Sequence, residues 1–392
     1  MKKIKILLFS IITSFIFIEV SAVRAGTLDF SVNPVLPSNQ VTANEGYFDL
    51  LMSPGASQTV KVELINNQSK AITVDIAAAS ATTNVNGVVV YSPTTTPLDK
   101  SLKYNLAHQV ELPNKITLQP KATQTVSITA NMPNSSFDGV IAGGITFKEE
   151  NQKSTSSQKG MTVDNVYQYV LGFLMRQNKT NLAPTLTMNN VQAAQVNYRN
   201  VINATLQNSA MAYLKDMNVN ATVQGISDNT LKYTYSNSAM EMAPNSSFNL
   251  PIPVSIQGAV QAGQTSQPLK AGKYQLSMTV YGQKDAAGNY QANVNGIATK
   301  YDYKWTLTRD FTVSAQEATK LNSSDLTVPK DNSVNILLIV GLILIFLLIL
   351  LIIFLILHRR KKAKETQKQN ALENELAEMK AKLQKIESKE EK

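Results

Sequence analysis

Few residues of this chain have types and spacing that suit catalysis. Its 392 residues include two histidines and no cysteine, which excludes a cysteine nucleophile, thiolate metal ligands and disulfides. His358 directly follows a long apolar segment, where a catalytic role is not expected. His108 is therefore the histidine to consider in the region before that segment. A pair of His108 with Glu111 is conceivable, but a surface or structural histidine is the commoner meaning of such a pattern. We therefore expect no hydrolase triad.

The carboxylates do not point to an enzyme or a metal site either. A glycosidase needs two carboxyl groups about 5 to 9.5 Å apart across a sugar, whereas Glu149 and Glu150 are adjacent and would point to opposite faces of a strand. The segment 285–289 lacks the alternating oxygen ligands and the final glutamate of a calcium loop, and a hairpin turn fits it better. We expect a protein that is not an enzyme and has no cofactor and no metal; hydrolysis of the cell wall is the weaker alternative.

Aromatic side chains are the residues that best suit a binding function, because they offer rigid contact area at a low entropic cost. Tyr47, Tyr104 and Phe137 are the candidates for ligand contact in the N-terminal half, and Trp305, the only tryptophan, is the candidate in the C-terminal half. For Phe137 and Trp305, a place in a hydrophobic core is the favoured alternative. These four are the predicted ligand-binding residues.

The net charge of +9 is concentrated at the two ends of the chain. The segment from His358 onward carries 11 Lys or Arg and 7 Asp or Glu, and residues 1–25 carry 4 and 1, so the region between them is close to neutral. A nucleic-acid-binding surface would need a basic patch in that region. We expect no nucleic-acid partner.

Two apolar segments predict export and membrane anchoring. Residues 1–25 combine a basic start, an apolar stretch at 6–18 and small residues near Ala25, which is the pattern of a cleavable signal peptide. Residues 336–357 carry no charge and, at about 33 Å as a helix, could span a bilayer. The basic cluster at 359–362 follows directly, so the positive-inside rule predicts a single-pass protein of the cell membrane with an extracellular N-terminal part and a cytoplasmic C-terminus.

Between these segments the sequence has the pattern of β-sandwiches. Short runs of alternating apolar and polar residues are separated by Pro, Gly and Asn, and residues 57–65 and 72–76 are predicted to form a hairpin. We predict an all-β protein with two tandem immunoglobulin-like sandwiches at 26–150 and 151–315, a stalk at 316–335, a transmembrane helix at 336–357 and a short, basic helical tail at 358–392.

The tail carries a further pattern. Leu372, Leu376, Met379, Leu383 and Ile386 are spaced by four and three residues, which is the a/d spacing of a coiled coil. Such a short helix is marginal alone, so self-association in the membrane plane or binding to the bilayer surface would be needed to stabilise it. A frayed, charged tail beside anionic lipid is the alternative.

Several sequence blocks, taken in order along the chain, resemble those of one known protein family. Residues 30–150 contain the blocks Phe30-Ser-Val-Asn-Pro-Val-Leu-Pro37, Gly46-Tyr-Phe-Asp-Leu50, Leu98-Asp-Lys-Ser-Leu-Lys-Tyr-Asn-Leu106 and Phe137-Asp-Gly-Val-Ile-Ala-Gly-Gly-Ile-Thr-Phe147. These blocks are similar to the peptidoglycan-binding domain of the WxL-interacting protein family. Residues 160–315 resemble its host-binding domain through Gln195-Val-Asn-Tyr-Arg-Asn-Val-Ile-Asn-Ala-Thr-Leu206, Met242-Ala-Pro-Asn-Ser-Ser-Phe248 and Leu269-Lys-Ala-Gly-Lys-Tyr274.

The resemblance implies a function at the surface of a Gram-positive bacterium. It implies a scaffold or adhesion protein whose partners are peptidoglycan, a WxL-domain surface protein and, further, a host extracellular matrix protein. It implies no ligand-contact position. The alternative from another functional class is a membrane-anchored, sandwich-domain chaperone or assembly factor for secreted surface proteins.

Overall fold

The computed structural model describes residues 29–43, 45–150, 166–261, 263–330 and 336–390, and the predicted signal peptide lies outside them. The chain divides into two compact units, one ending at Pro329 and the other starting at Lys330. The first unit is built mainly from β-strands and the second from one long helix. The predicted all-β class with a C-terminal apolar helix is confirmed, and the immunoglobulin-like topology stays a prediction.

The first sandwich consists of two sheets. The four-stranded sheet has the order β1 (Phe30–Val35), β3 (Ser57–Asn66), β9 (Thr123–Asn131), β7 (Val110–Glu111). The five-stranded sheet has the order β2 (Phe48–Leu51), β11 (Gln168–Arg176), β10 (Ile141–Glu149), β4 (Ile72–Ser80), β8 (Lys115–Leu118). A single-turn helix, α1 (Leu106–Gln109), precedes β7, and β5 (Thr82–Thr83) and β6 (Val89–Val90) form a separate two-stranded sheet.

Alternation along the strands produces the core of this sandwich. Val60, Val62 and Leu64 of β3 are buried, while the intervening Lys61 and Glu63 are exposed, because successive side chains of a strand point to opposite faces of the sheet. The same alternation on β4 buries Ile72, Val74 and Ile76. The two sheets therefore bury one continuous apolar core between them.

The predicted hairpin at 57–65 and 72–76 is wrong. Strand β3 pairs with β1 and β9, whereas β4 pairs with β10 and β8, so the two strands lie in opposite sheets. The buried side chain of Asn66 supports the crossing, because its Nδ2 donates to the carbonyl oxygens of Lys70 at 2.8 Å, Leu118 at 3.1 Å and Gln119 at 3.0 Å. A period of two identifies strands but not their partners.

Strand β11 follows the expected domain boundary at residue 150 and yet pairs within the first sandwich. It is antiparallel to β10 and parallel to β2. Its Phe173 is fully buried and packs against Phe48 with ring centroids 5.4 Å apart. Residues 168–176, expected at the start of the second sandwich, thus fill the gap between two strands of the first.

The second sandwich also has two sheets. The three-stranded sheet has the order β12 (Thr187–Val196), β13 (Arg199–Asn208), β16 (Ser246–Pro253). The five-stranded sheet has the order β15 (Lys232–Met242), β14 (Leu214–Gly225), β17 (Gly272–Lys284), β19 (Ile297–Val313), β18 (Tyr290–Val294). The segment 285–289 is a turn in which the side chain of Asp285 accepts the Ala287 N–H at 2.7 Å.

The segment expected to begin the stalk packs on the second sandwich instead. Helix α2 (Ala315–Ser324) is capped by Ser314, whose hydroxyl accepts the Glu317 N–H. The fully buried carboxylate of Asp325 then accepts the Asn200 N–H at 2.7 Å and the Ser255 hydroxyl at 2.6 Å. We call this set of contacts the Asp325 clasp. The sequence pattern does not reveal these contacts. They are made by a short helix and a polar network, and neither produces the alternation of apolar and polar residues that marks a strand.

The two sandwiches meet in an interface that we call the junction. Its small apolar core consists of Ala81, Val89, Val140, Ala142, Leu174 and Ala243. Backbone bonds cross it, since the Val140 N–H donates to the Met211 oxygen at 2.8 Å. The strand β5 takes part, because the hydroxyl of Thr83 accepts the N–H of Ala243 at 3.0 Å. The sandwiches are therefore packed together rather than joined by a free linker.

The second unit is a single helix, α3 (Ile336–Glu390). It is, within the described residues, the one helix that is long and apolar enough to cross a membrane. Its large apolar side chains are exposed from Ile339 to Leu357. The helix continues without a break into the predicted tail as far as Glu390, so the apolar segment and the described part of the tail share one helical phase.

Candidate functional site

The first sandwich carries a shallow groove of about 440 Å³ beside strand β4. Its lining residues come from β4, α1, β7 and the loop after β7: Ile76, Ala77, Ala78, Ala107, Val110, Glu111, Leu112 and Asn114. We call it the β4 groove. Most of these side chains are small or apolar, so the backbone of β4 is accessible to a narrow, extended ligand.

One edge of β4 is open at this groove. Strand β8 pairs only with residues 72–75 of β4, and the Ile76 N–H donates to the carbonyl oxygen of Asn114 at 2.8 Å. Residues two apart in a strand direct their N–H and C=O groups to the same side, so the backbone groups of Ala78 face the groove. Within the described residues no strand pairs with Ala78 on that side. An extended peptide could add a strand here.

Helix α1 forms one wall of the groove and is held in place by hydrogen bonds to the end of β4. The hydroxyl of Ser80 donates to the side chain of Asn105 at 2.9 Å and accepts the Leu106 N–H at 2.8 Å. Asn105 is also the N-cap of α1. Leu106 is fully buried against β10, where Gly143 leaves the space that a Cβ would fill. The position of α1 is thus set by packing and hydrogen bonds, and it does not depend on a ligand.

The groove combines hydrogen-bonding backbone with one acidic side chain. Glu111 is exposed and accepts a hydrogen bond from Asn131 Nδ2 at 2.9 Å. Its carboxylate keeps further lone pairs with which it can accept from an amine. A short peptide with small side chains and one amino group therefore matches the groove.

Two of the sequence-predicted residues, Tyr104 and Phe137, are brought together on the first sandwich. Their ring centroids lie 5.2 Å apart, and Lys103 Nζ lies 5.0 Å from the centroid of Tyr104. Both rings are half-buried against the core. The hydroxyl of Tyr104 is buried and has no hydrogen-bond partner among the described residues, so a ligand that reaches it would meet a free polar group.

The other two predicted residues lie apart from this pair. Tyr47 is half-buried and packs against both the first core and the junction core. Trp305 belongs to β19 of the second sandwich, where it stacks on Tyr303 with centroids 5.7 Å apart and packs against the core. The structure thus places the four predicted residues at three locations and does not form a single site from them.

Sequence reasoning missed a polar and aromatic cluster at the junction. Tyr91 donates a hydroxyl hydrogen bond to Tyr213 at 3.2 Å, and burial raises the pKa of Tyr213 well above its usual value. Nearby in the first sandwich, Arg176 Nε contacts the buried Asp49 Oδ1 at 2.7 Å. These partners are more than 100 residues apart, so no local pattern could have paired them.

The structure places the histidine and carboxylates that the sequence raised for catalysis as follows. Glu111 contacts Asn131 rather than forming the conceivable pair with His108. Glu149 is buried and lies 3.9 Å from Lys70, whereas Glu150 is more exposed and lies 2.9 Å from Lys115, so the adjacent carboxylates do diverge. No group of three or more metal-binding side chains occurs within the residues that the structure describes.

Family comparison identifies both sandwiches. Residues 30–149 match the model "WxL Interacting Protein, peptidoglycan binding domain", and residues 158–323 match "WxL Interacting Protein, host binding domain". The chain belongs to the WxL-interacting protein family. The resemblance predicted from the sequence blocks is thereby confirmed, and both matched models are described as binding domains.

Comparison with individual proteins adds little. No curated protein matches the chain. Among solved structures, the CsuC–CsuE chaperone–adhesin complex of Acinetobacter baumannii matches at 12% identity over 57% of this chain and 91% of that chain, with a TM-score of 0.28. The E. coli chaperone DraB matches at 13% identity over 73% and 98%, with a TM-score of 0.24. At these TM-scores the likeness carries no argument about function.

Proposed function

We propose that this protein is a non-catalytic scaffold of the Gram-positive cell surface that binds peptidoglycan through its first sandwich. The open edge of β4 in the β4 groove is the observation that carries the proposal. It supports recognition of the peptide portion of peptidoglycan, because an extended peptide can pair with the backbone of Ala78. Glu111 would accept from an amino group of that peptide.

The second sandwich is the proposed partner-binding part of the scaffold. Its match to the host-binding domain supports an interaction with a WxL-domain surface protein or with a host extracellular matrix protein. The junction supports a joint function of the two sandwiches, because they share buried apolar residues and backbone hydrogen bonds. A wall-bound first sandwich would hold the second one in a fixed orientation for its partner.

Filling the β4 groove should weaken binding to the cell wall. Ala107 is exposed and lines the groove, so Ala107→Trp would occupy the space of a bound peptide without entering the core. We expect the purified β-sandwich unit to be retained on purified sacculi, and Ala107→Trp to weaken its affinity by about tenfold or more. Sedimentation with sacculi over a range of protein concentrations measures both.

Two controls make this result specific. Ala286→Trp introduces the same side chain at an exposed turn of the second sandwich and should leave retention unchanged. Soluble peptide-bearing wall fragments should compete, whereas glycan strands stripped of peptide should not. Unchanged retention of Ala107→Trp would remove the groove from the proposal, and no retention of the wild type would overturn peptidoglycan binding itself. Release of soluble wall fragments would contradict the non-catalytic role.

The proposed location is the cell membrane, with α3 crossing once and the tail in the cytoplasm. The basic cluster at 359–362 supports this direction, since moving it outward opposes the membrane potential and the attraction of anionic lipid. Protease added to intact protoplasts should remove the sandwiches and leave a membrane-bound fragment with the C-terminal epitope. Loss of that epitope from sealed protoplasts would reverse the orientation.

A further inference from the structure

The tail part of α3 presents an apolar stripe without a partner in the described chain. Leu372, Leu376, Met379 and Leu383 are each more than half exposed, and the spacing by four and three residues places them on one face of the helix. Ile386 continues the spacing in the sequence. Such a stripe on an isolated helix is stabilised only when another surface covers it.

The charges beside the stripe indicate what covers it. With Leu376 and Leu383 at heptad position a, the flanking g and e positions five residues apart form three pairs: Lys368 with Glu373, Glu375 with Lys380, and Lys382 with Glu387. In a parallel coiled coil, a g residue faces the e residue five positions later on the partner helix, and such pairs set partner choice and orientation. All three pairs of this chain are of opposite sign. A second copy of the same helix, aligned in parallel, is therefore complementary.

A lipid surface fits the stripe less well. Residues 366–390 contain five lysines and five glutamates, so this part of the tail has no net charge to attract anionic lipid. The helix is continuous from the apolar segment, and Leu372 lies 15 positions after Leu357, which corresponds to about 22 Å along the helix axis. That exceeds the depth of the headgroup layer, which is roughly 5 to 8 Å on each side. The basic cluster, not the heptad segment, lies at headgroup level.

We propose that the tails of two copies of this protein associate as a parallel coiled coil whose apolar core extends from residue 372 to residue 386, in the register that joins the three flanking charge pairs. Two heptads bind weakly in solution. A membrane helix confines both copies to one plane and one orientation, which raises their effective concentration. The pairing does not depend on what the sandwiches bind.

Disulfide cross-linking of the full-length protein in lipid vesicles tests the register. The chain has no cysteine of its own, so one introduced thiol reports one position. Leu372→Cys lies at a core d position, where equivalent residues of a parallel pair are adjacent, whereas Asn374→Cys lies at the outward f position of the same heptad. With a mild oxidant and excess lipid, we expect the first variant to form cross-linked dimers and the second to form about tenfold fewer.

Charge reversal tests the pairing itself. In the Leu372→Cys background, Glu375→Lys places lysine opposite Lys380 and should lower the cross-linked fraction about fivefold. Adding Lys380→Glu restores opposite signs and should restore the cross-link. Equal cross-linking at positions 372 and 374, no cross-linking at either, or a charge reversal without effect would each overturn the proposal. Failure of Leu372→Cys together with cross-linking of a Leu372→Cys and Leu383→Cys mixture would show an antiparallel pair and would also overturn it.

Discussion

Replacing Gly139 by alanine is expected to disrupt the junction between the two sandwiches. Gly139 has φ +96°, a conformation that L-residues adopt only with strain. An added Cβ would also collide with the backbone oxygen of Met211, the acceptor of the Val140 hydrogen bond. Backbone strain, steric overlap and the weakened bond together should lower the free energy of unfolding by about 4 kcal/mol.

The matched control is Gly296→Ala. Gly296 has φ +86°, and an added Cβ there meets no atom within 4 Å. This variant carries the strain without the collision, so it should cost about 1 to 2 kcal/mol. Denaturant titration gives the free energies, and limited proteolysis between the sandwiches reports the junction directly. Equal effects of the two substitutions would show that the overlap of the added Cβ with Met211 does not destabilise the junction.

Removal of the Asp325 carboxylate is the second change with a large expected effect. Asp325→Ala removes the acceptor of the Ser255 hydroxyl at 2.6 Å, of the Thr327 N–H at 2.8 Å and of the Thr327 hydroxyl at 2.7 Å. It also removes one of the two acceptors of the buried Asn200 N–H, which keeps only the Ser255 hydroxyl oxygen. A buried donor left unpaired costs about 1 to 3 kcal/mol. We expect a loss of about 3 to 5 kcal/mol in the free energy of unfolding and exposure of residues 315–328 to protease.

The pH dependence of the free energy of unfolding distinguishes the contribution of the Asp325 charge from that of its side-chain shape. Burial by itself raises the pKa of Asp325, but the hydrogen bonds from Ser255, Thr327 and Asn200 outweigh it and lower the pKa below the usual value. The ionised form then stabilises the fold fully above the unfolded pKa of about 3.9, and this stabilisation is lost as the pH falls through the lower folded pKa. Asp325→Asn should therefore be less stable than the wild type at neutral pH, with a difference that shrinks below about pH 4. A constant difference would contradict the assigned role of the charge.

Local patterns predicted strands well but not their partners. The alternation at Val60, Val62 and Leu64 identified a strand, because one face of the sheet is buried. The same pattern led to the wrong hairpin at 57–76, since alternation is equally present when consecutive strands enter opposite sheets. Asn66 distinguishes a hairpin from a crossing between sheets, because its side chain donates to three carbonyl oxygens at the crossing. Those three partners are known only from the fold.

The candidate site was predictable only in part. Tyr104 and Phe137 were selected singly for their side-chain chemistry, and the structure places them in contact. The β4 groove has no signature in the sequence, because its main feature is a backbone edge of β4 that is left open beyond its pairing with Lys115, the first residue of β8. The missed junction residues Tyr91 and Tyr213 are likewise joined only by tertiary packing.

The Asp325 clasp determines where a mechanical load would enter the protein. If the first sandwich binds the cell wall and α3 is anchored in the membrane, as proposed above, any separation of wall and membrane stretches the segment between them. Without the clasp, a pull on α3 would act on the end of β19 at Val313. With it, the pull acts first on Asn200 in β13, the middle strand of its sheet, and on Ser255 just after β16. Under such a load, the clasp would therefore transfer the force to β13 and would protect β19 from being peeled off its sheet.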